Sequence, residues 1–239
     1  MKRILITGAT SGIGKALCLL YQAKHWQVIA CGRNEKVLAE LANLNNVSCI
    51  AFDLTNKAQI NAALLGIPEL DVVILNAGNC EYIDDPVNFD GELFERVIST
   101  NVIAVGHALA LLLPKLKSGG GLALMGSSAS YLPFPRAEAY GASKAAISYL
   151  AKVLSLDLQT DGIAVSLINP GFIKTPLTAK NDFPMPMLIS AEQAAQFIFK
   201  GITQGKREIH FPRVFTGLLK LFAFLPDWVW RSMAKRMKR

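Results

Sequence analysis

The sequence has 239 residues, of which 51% are hydrophobic, and this length supports one domain with a large core. The formal net charge of +7 is concentrated in residues 213–239, which contain seven basic residues and one acidic residue, so the remainder carries only +1. Because the body shows no basic stripe interleaved with aromatic residues, we expect no binding to nucleic acid.

Short apolar runs alternate along the chain with longer segments of helical periodicity. We predict strands at Ile4–Thr7, Val28–Cys31, Val47–Phe52, Val72–Leu75, Leu122–Gly126, Ile163–Ile168 and Glu208–Phe211. We predict helices at Gly12–Lys24, Asn34–Ala42, Lys57–Leu65, Gly91–Lys117, Ala137–Thr160 and Ala191–Thr203. The strand runs are continuously apolar, which is typical of strands covered on both faces. The pattern predicts an α/β fold: a Rossmann-like, doubly wound parallel sheet of about seven strands with helices on both faces.

A glycine-rich turn follows the first predicted strand and opens the first helix. Its sequence is Thr7-Gly8-Ala9-Thr10-Ser11-Gly12-Ile13-Gly14. Glycines allow a tight turn and a close approach of backbone to phosphate, and helix N-terminal amides attract a pyrophosphate. Because the turn directly follows a strand, it indicates a dinucleotide site.

The next two strand ends bear on the choice of dinucleotide. The second strand is followed by Gly32 and Arg33 rather than by an acid. Since an acid there would take a ribose 2′-hydroxyl and an arginine can pair with a 2′-phosphate, we expect NADP(H) rather than NAD(H). The alternative is that Arg33 is a solvated loop residue. Asp53, followed by Leu54, could accept a hydrogen bond from adenine, or it could be the N-cap of the next helix.

The stretch Ser127–Lys144 holds the candidate acid/base group. Tyr140 and Lys144 are four residues apart, so they share one face of a predicted helix. The ammonium favours the phenolate, and we expect it to lower the pKa of Tyr140 from about 10 towards neutrality. Such a phenol can give a proton to a carbonyl oxygen or take one from an alcohol. By itself the pair is a weak signal, because this spacing occurs by chance in many helices.

Taken together, these motifs resemble the short-chain dehydrogenase/reductase family in its single-domain form. The matching elements are T-G-x-x-x-G-I-G at Thr7–Gly14, N-A-G at Asn76–Gly78, the helix asparagine at Asn101, the serine at Ser127, Y-x-x-x-K at Tyr140–Lys144 and P-G-x-x-x-T at Pro170–Thr175. The match extends from Ile4 to about Phe211. Two positions depart from the family pattern: Leu75 stands where Asn is usual, and Ser130 stands where Gly is often found.

The resemblance implies an NADP(H)-dependent oxidoreductase that interconverts a carbonyl and an alcohol. Its catalytic residues would be Tyr140 as proton donor, Lys144 holding the nicotinamide ribose, Ser127 on the carbonyl oxygen, and Asn101 anchoring a water that links Lys144 to solvent. The cofactor-binding residues, besides Tyr140 and Lys144, would be Gly8, Thr10, Ser11, Gly12, Ile13, Gly14, Arg33, Asp53, Leu54, Asn76, Ala77, Gly78, Pro170, Gly171, Ile173 and Thr175. It implies no metal.

The substrate side is expected to be apolar. The resemblance places it between three segments, Asn79–Tyr82, Tyr131–Arg136 and Phe172–Ile189, whose lining suits a hydrophobic ketone or aldehyde. The third segment could close as a lid. The alternative is that its apolar residues pack its own base or a subunit interface. We expect Arg136 to lie in solvent.

A different class of function remains open, namely a catalytically inactive nucleotide-sensing or scaffold protein of the same fold. That reading predicts a damaged Tyr, Lys or Ser, and all three residues are present. The resemblance further suggests a homodimer or homotetramer through the helices at Gly91–Lys117 and Ala137–Thr160.

The dinucleotide-binding and catalytic domain is predicted to span residues 1–212, followed by an apolar, basic tail at 213–239 that is not a separate domain. The tail is too short to span a bilayer, but its Trp and Lys/Arg content suits an anionic membrane surface. The alternatives are packing on the body or on a partner subunit. Scattered cysteines and the short N-terminal apolar run lead us to expect a cytoplasmic protein, with a peripheral position on the inner face of a membrane as the alternative.

Overall fold

A seven-stranded parallel sheet forms the centre of the molecule. The computed structural model describes residues 1–237, except for the side chain of Arg236. The strand order is β3-β2-β1-β4-β5-β6-β9, with a separate two-stranded pair, β7-β8. The strands are β1 Arg3–Thr7, β2 Gln27–Gly32, β3 Val47–Ala51, β4 Leu70–Leu75, β5 Leu116–Met125, β6 Ala164–Pro170, β7 Ile173–Lys174, β8 Ile189–Ser190 and β9 Glu208–Phe211. The predicted Rossmann-like fold is confirmed.

Helices connect the strands and cover both faces of the sheet. They are α1 Gly12–Ala23, α2 Glu35–Ala42, α3 Lys57–Leu64, α4 Gly91–Ile98, α5 Ala104–Leu112, α6 Glu138–Asp157, α7 Ala191–Thr203, α8 Arg213–Ala223 and α9 Asp227–Ala234. A π-helical turn, Ser99–Ile103, joins α4 to α5, and a 3₁₀ turn, Leu113–Lys115, ends that run. Strand order reverses between β1 and β4, which is where doubly wound sheets bind ligands.

The core consists of two layers separated by the sheet. Successive side chains of a strand point to opposite faces, so Ile4 and Ile6 of β1 join the layer under α1 and α7, whereas Leu5 joins the opposite layer. That opposite layer holds side chains of α3, α5 and α6, such as Ile60, Leu112 and Ile147. Burial on both faces explains why these strands read as continuous apolar runs. The exception is β3, which is only partly buried because it lies at the edge of the sheet.

The largest differences from the predicted boundaries lie between α5 and β5. The predicted helix Gly91–Lys117 ends at Lys115 and contains the π turn, and β5 begins at Leu116 rather than at Leu122. The strand's first half, Leu116–Gly121, contains Ser118 and three glycines, so it carries little apolar signal. This half is a strand because it pairs with β4, where the register shifts between Leu70 and Val72.

The helical run Gly91–Lys115 has a length and hydropathy that would allow it to cross a membrane. In the fold its α5 part lies on the sheet, where Val105, Ala108 and Leu109 pack into the core. A core helix of an α/β protein meets the same criteria, so the run provides little support for a membrane span.

The C-terminal segment forms a pair of short helices, α8 and α9, that pack on the body with one face. Leu219 and Trp230 form a small core with Leu132, and Phe215 and Phe222 border it. Packing on the body, one of the alternatives for this tail, therefore holds for its inner face. Lys238 and Arg239, part of the predicted basic end, lie outside the described residues.

Candidate active site

The glycine turn is joined to the end of β4 by hydrogen bonds at the point where strand order reverses. The Thr7 hydroxyl oxygen accepts from the backbone N–H of Asn76 at 3.0 Å and of Ala77 at 3.1 Å. In return, Asn76 Nδ2 donates to the carbonyl oxygens of Thr7 and Gly8, at 2.9 and 3.3 Å. Turn and strand end therefore form one rigid floor.

Two glycines allow this turn to close. Gly8 has a φ of +68°, a left-handed conformation that disfavours other residues. A Cβ on Gly14 would lie 2.1 Å from the carbonyl oxygen of Gly8, so only glycine permits α1 to begin this close to the turn. Ser11, the residue before α1, has an extended backbone and, within the described chain, makes no side-chain cap bond. The first amides of α1 therefore point at the cleft and can receive a phosphate.

A cleft of about 600 Å³ opens above this floor, along the carboxyl ends of the strands. Seventeen of the eighteen predicted cofactor-binding residues line it; Gly14 instead packs beneath the turn. Asn101 and Ser127 are buried next to the lining residues Gly78 and Gly126. The lining also includes Thr178 and Lys180, which sequence reasoning missed because they carry no motif. Side chains in place of the turn glycines would collide with neighbouring atoms, so the glycines keep the turn compact. The compact turn and the N-terminal amides of α1 fit a dinucleotide.

Arg33 and Asp53 face each other at the far end of the cleft. Arg33 Nη1 lies 3.5 Å from Asp53 Oδ2, and the Arg33 side chain is 75% exposed. Burial alone would raise the pKa of Asp53, but hydrogen bonds from Thr55 and the charge of Arg33 outweigh it, so this pKa is below its usual value. The alternative that Asp53 caps the next helix is wrong, because Asn56 is the N-cap of α3.

Tyr140 and Lys144 lie on α6 and reach the cleft together. Lys144 Nζ lies 5.7 Å from the centroid of the Tyr140 ring and donates a 2.9 Å hydrogen bond to the carbonyl oxygen of Met125. Burial lowers the pKa of Lys144 to about 8. Burial also raises the pKa of Tyr140, and a hydrogen bond with Ser127 only partly opposes this. The prediction that the pKa of Tyr140 falls is therefore wrong for this chain, because burial has the larger effect.

The buried amide of Asn101 connects three elements from its place in the π turn. Its Oδ1 accepts from the backbone N–H of Asn79 at 2.7 Å. Its Nδ2 donates to the Asn79 carbonyl oxygen at 2.8 Å and to Ser143 Oγ at 2.9 Å. A Cβ on Gly78 would lie 3.1 Å from Asn101 Oδ1 and 3.4 Å from Lys144 Nζ, so Gly78 packs closely against both groups. The water-anchoring role of Asn101 stays a prediction.

Ser127 follows β5 and is the N-cap of the 3₁₀ turn Ser128–Ser130. Its Oγ accepts from the backbone N–H of Ala129 at 3.1 Å. Ser130, which stands where the family often has glycine, donates from its hydroxyl to the Ser127 carbonyl oxygen at 2.7 Å. Ser148 of α6 donates in turn to Ser130 at 3.1 Å. The departure at Ser130 thus adds a side-chain link between the serine segment and α6.

The expectation that Arg136 lies in solvent is wrong. Its Nε lies 2.6 Å from Asp84 Oδ1 and its Nη1 lies 2.8 Å from Asp182 Oδ1. Its guanidinium carbon also lies 5.5 Å from the centroid of the Tyr82 ring. Two acids from separate loops reach it only after folding, so its sequence neighbours gave no sign of them. Arg136 joins the three segments predicted to surround the substrate.

Glu208 is a second junction that sequence reasoning missed. Its Oε1 accepts from Tyr131 Oη at 2.7 Å and from Asn169 Nδ2 at 2.9 Å, and its Oε2 lies 2.6 Å from Lys220 Nζ. The carboxylate therefore connects the end of β6, the serine segment and α8. A single Glu in a weak strand signal offers no hint of such partners.

Comparison with known proteins decides the family. The short chain dehydrogenase profile matches residues 2–184 of this chain. The chain belongs to the short-chain dehydrogenase family. An uncharacterized oxidoreductase of Myxococcus xanthus is 32% identical, over 98% of this chain and 96% of that protein. The matched range includes Ser127, Tyr140 and Lys144.

Two solved structures of short-chain dehydrogenases share the fold. The one from Sphingobium yanoikuyae, in complex with NADPH, has a TM-score of 0.80 and 23% identity, covering 95% of this chain and 97% of that chain. The one from Burkholderia phymatum, in complex with NAD, has a TM-score of 0.81 and 22% identity, covering 92% of each chain. At such identities the similarity shows the fold. One of the two structures contains NADPH and the other contains NAD.

Proposed function

We propose that this short-chain dehydrogenase is an NADP(H)-dependent enzyme that reduces an apolar ketone or aldehyde to an alcohol, or catalyses the reverse reaction. The observation that carries the proposal is that Tyr140 and Lys144 line the same cleft as the glycine turn. A proton donor and a dinucleotide cradle in one cleft are what carbonyl reduction requires.

The residues of this chain would divide the dinucleotide between them. The amides at the start of α1 would receive the pyrophosphate, and Arg33 would pair with a 2′-phosphate. Residues of the segments Asn76–Gly78 and Pro170–Thr175 line the same cleft as Lys144 and would hold the nicotinamide half. When bound, the reduced nicotinamide supplies the hydride for the carbonyl carbon.

The proton chemistry belongs to Tyr140. Because burial raises its pKa, the phenol keeps its proton at neutral pH and can donate it to the oxygen of a carbonyl as that oxygen gains charge. Ser127 would donate a second hydrogen bond to the same oxygen. The Lys144 ammonium, protonated below a pH of about 8, would stabilise the phenolate left behind and hold the ribose.

An apolar substrate is supported by the aromatic contacts beside the cleft. Phe183 packs edge-on against Tyr82, with ring centroids 5.6 Å apart, and also against Phe172. Phe172 in turn lies against Phe215 of α8. These rings would provide an apolar wall for the substrate, and polar specificity would come from Ser127 and Tyr140.

Substitution of the phenol tests the enzyme proposal. Tyr140→Phe keeps the ring and removes the proton, so turnover of NADPH with a panel of apolar ketones and aldehydes should fall by about 10²- to 10⁴-fold. NADPH binding, followed by fluorescence titration, should survive. Turnover within a few-fold of wild type would disprove the assignment, and NADPH binding by the wild type without turnover of any carbonyl would favour the scaffold alternative.

The choice of dinucleotide has its own test. Arg33→Gln removes a charge-assisted pair worth about 1.5–3 kcal/mol, so the Kd for NADPH should rise by about 10- to 100-fold while the Kd for NADH changes little. Lys36→Gln, an exposed cation of α2 outside the cleft lining, is the matched control. Equal losses for both dinucleotides would contradict the 2′-phosphate role.

A further inference from the structure

Helix α8 has an apolar surface that is broader than the part covered by the protein. Its inner stripe, Phe215, Leu219 and Phe222, packs on the body. Its outer stripe, Val214, Leu218, Leu221 and, just past the end of the helix, Leu225, follows the same helical spacing and is exposed. An amphipathic helix normally buries its apolar surface, so the uncovered outer stripe indicates an apolar environment beyond this chain.

Further exposed aromatic residues follow α8, in the turn and at the start of α9. Phe224 is 88% exposed and Trp228 is 72% exposed, both at the junction of the two helices. Together with the outer stripe of α8 they form what we call the outer ridge: Val214, Leu218, Leu221, Phe224, Leu225 and Trp228. Isolated surface apolar residues are common, but six exposed ones within fifteen residues of two short helices and their turn indicate an interaction site.

The pair of helices is anchored firmly enough to present this ridge. Trp230 is buried, and its Nε1 donates a 2.8 Å hydrogen bond to the Pro133 carbonyl oxygen. Its ring packs edge-on against Phe134, with centroids 5.3 Å apart. Lys220 turns inward to Glu208. The buried ring of Trp230 therefore anchors the two helices, whereas the ring of Trp228 is exposed to solvent.

Charge indicates what covers the ridge. Arg213 stands at its start, and Lys235, Arg236, Lys238 and Arg239 follow it in sequence. A second copy of this chain would bring the same +6 segment against itself, which opposes self-association through this face. An anionic bilayer accepts both features, because apolar and tryptophan side chains enter the headgroup boundary while lysine and arginine stay with the phosphates.

We propose that the outer ridge docks the protein on the surface of an anionic lipid bilayer. The inner face of the same helices contacts Tyr131 and Phe134, in the segment expected to border the substrate. Docking would therefore place the substrate side of the enzyme next to the membrane. The proposal concerns binding and does not depend on turnover.

The test is co-sedimentation of the full-length protein with vesicles of phosphatidylcholine, with and without phosphatidylglycerol. The double variant Phe224→Gln/Trp228→Gln removes two ridge side chains. The matched control, Leu65→Gln/Val87→Gln, changes two residues of similar exposure, 69% and 89%, elsewhere on the surface. Because all four side chains are exposed, thermal unfolding should show both variants to be folded.

We expect wild type and control to bind vesicles containing phosphatidylglycerol, more weakly as salt is raised, and the ridge variant to lose at least about tenfold in partition coefficient. Wild type that fails to sediment, or a ridge variant that sediments as well as the control, would overturn the proposal. So would equal binding to vesicles without phosphatidylglycerol, or light scattering that shows a dimer which only the ridge variant dissociates.

Discussion

The two walls of the active-site cleft are built in different ways. On the dinucleotide side, strand ends and the glycine turn are joined through main-chain groups, as Thr7 and Asn76 show. On the substrate side, three loops and α8 are joined by side chains, mainly through Arg136 and Glu208. The first wall follows from the sheet itself, whereas the second depends on individual residues. Under the proposed function, we therefore expect substrate choice to depend on the second wall and dinucleotide binding on the first.

The electrostatics of the two walls differ as well. Lys144 and Asn101 are almost completely buried, so each has a fixed set of partners. The Arg136 pairs are partly exposed, and such ion pairs are worth about 0–1 kcal/mol each. Substitutions in the first wall should therefore change chemistry, and those in the second should change substrate affinity.

The largest effect is expected at Lys144. Lys144→Met keeps the length of the side chain and removes the charge near Tyr140, so kcat should fall by at least about 10²-fold. Single-turnover reduction measured with saturating NADPH would separate this loss from weaker binding. Retention of kcat with only a raised KM would assign Lys144 to binding alone.

The same substitution should stabilise the protein at neutral pH. Burial lowers the pKa of Lys144 to about 8, whereas in the unfolded chain it is about 10.5. Between these values the unfolded state binds more protons, so wild-type stability rises with pH there, and the cost of burying the ammonium is present in full below pH 8. Lys144→Met removes that cost but leaves the Met125 carbonyl without its donor, for a net gain of about 1 kcal/mol.

Urea unfolding at pH 7 and at pH 10 would check this gain in the absence of NADPH. The difference in unfolding free energy between Lys144→Met and wild type should shrink as pH rises through the window from about 8 to 10.5. A difference that does not vary with pH would show that the buried ammonium is not its source.

A moderate effect is expected at Glu208. Glu208→Gln leaves an acceptor for Tyr131 and Asn169 but removes the charge that faces Lys220, so unfolding should become easier by about 1–2 kcal/mol. If this junction positions the substrate wall, KM should rise about tenfold with kcat less affected. Lys220→Met and the double variant complete a cycle, and additive free energies would refute the coupling. Glu192→Gln, an exposed acid of α7, is the control.

The smallest effect is expected at Arg136. Arg136→Gln breaks both pairs that join the loops, and we expect KM for an apolar carbonyl to rise by a few-fold without loss of kcat. Raising the salt concentration should move wild type in the same direction and leave the variant unchanged. Arg231→Gln, which breaks the exposed pair with Asp227, should leave KM at its wild-type value.

The sequence alone was enough to predict the parallel sheet, its seven strands, and seventeen of the residues that line the cleft. Those features rest on signals that are local in the chain: apolar runs, glycines after a strand, and two residues one helical turn apart. The start of β5 at Leu116 escaped prediction because a glycine-rich stretch pairs only when its neighbouring strand is present.

Only the tertiary structure decided the partners of Arg136 and Glu208, the raised pKa of Tyr140, and which face of α8 is left exposed. Each of these depends on groups that are distant in sequence and become neighbours through folding. Desolvation and ion pairing are set by such neighbours, so no local pattern in the chain can report them.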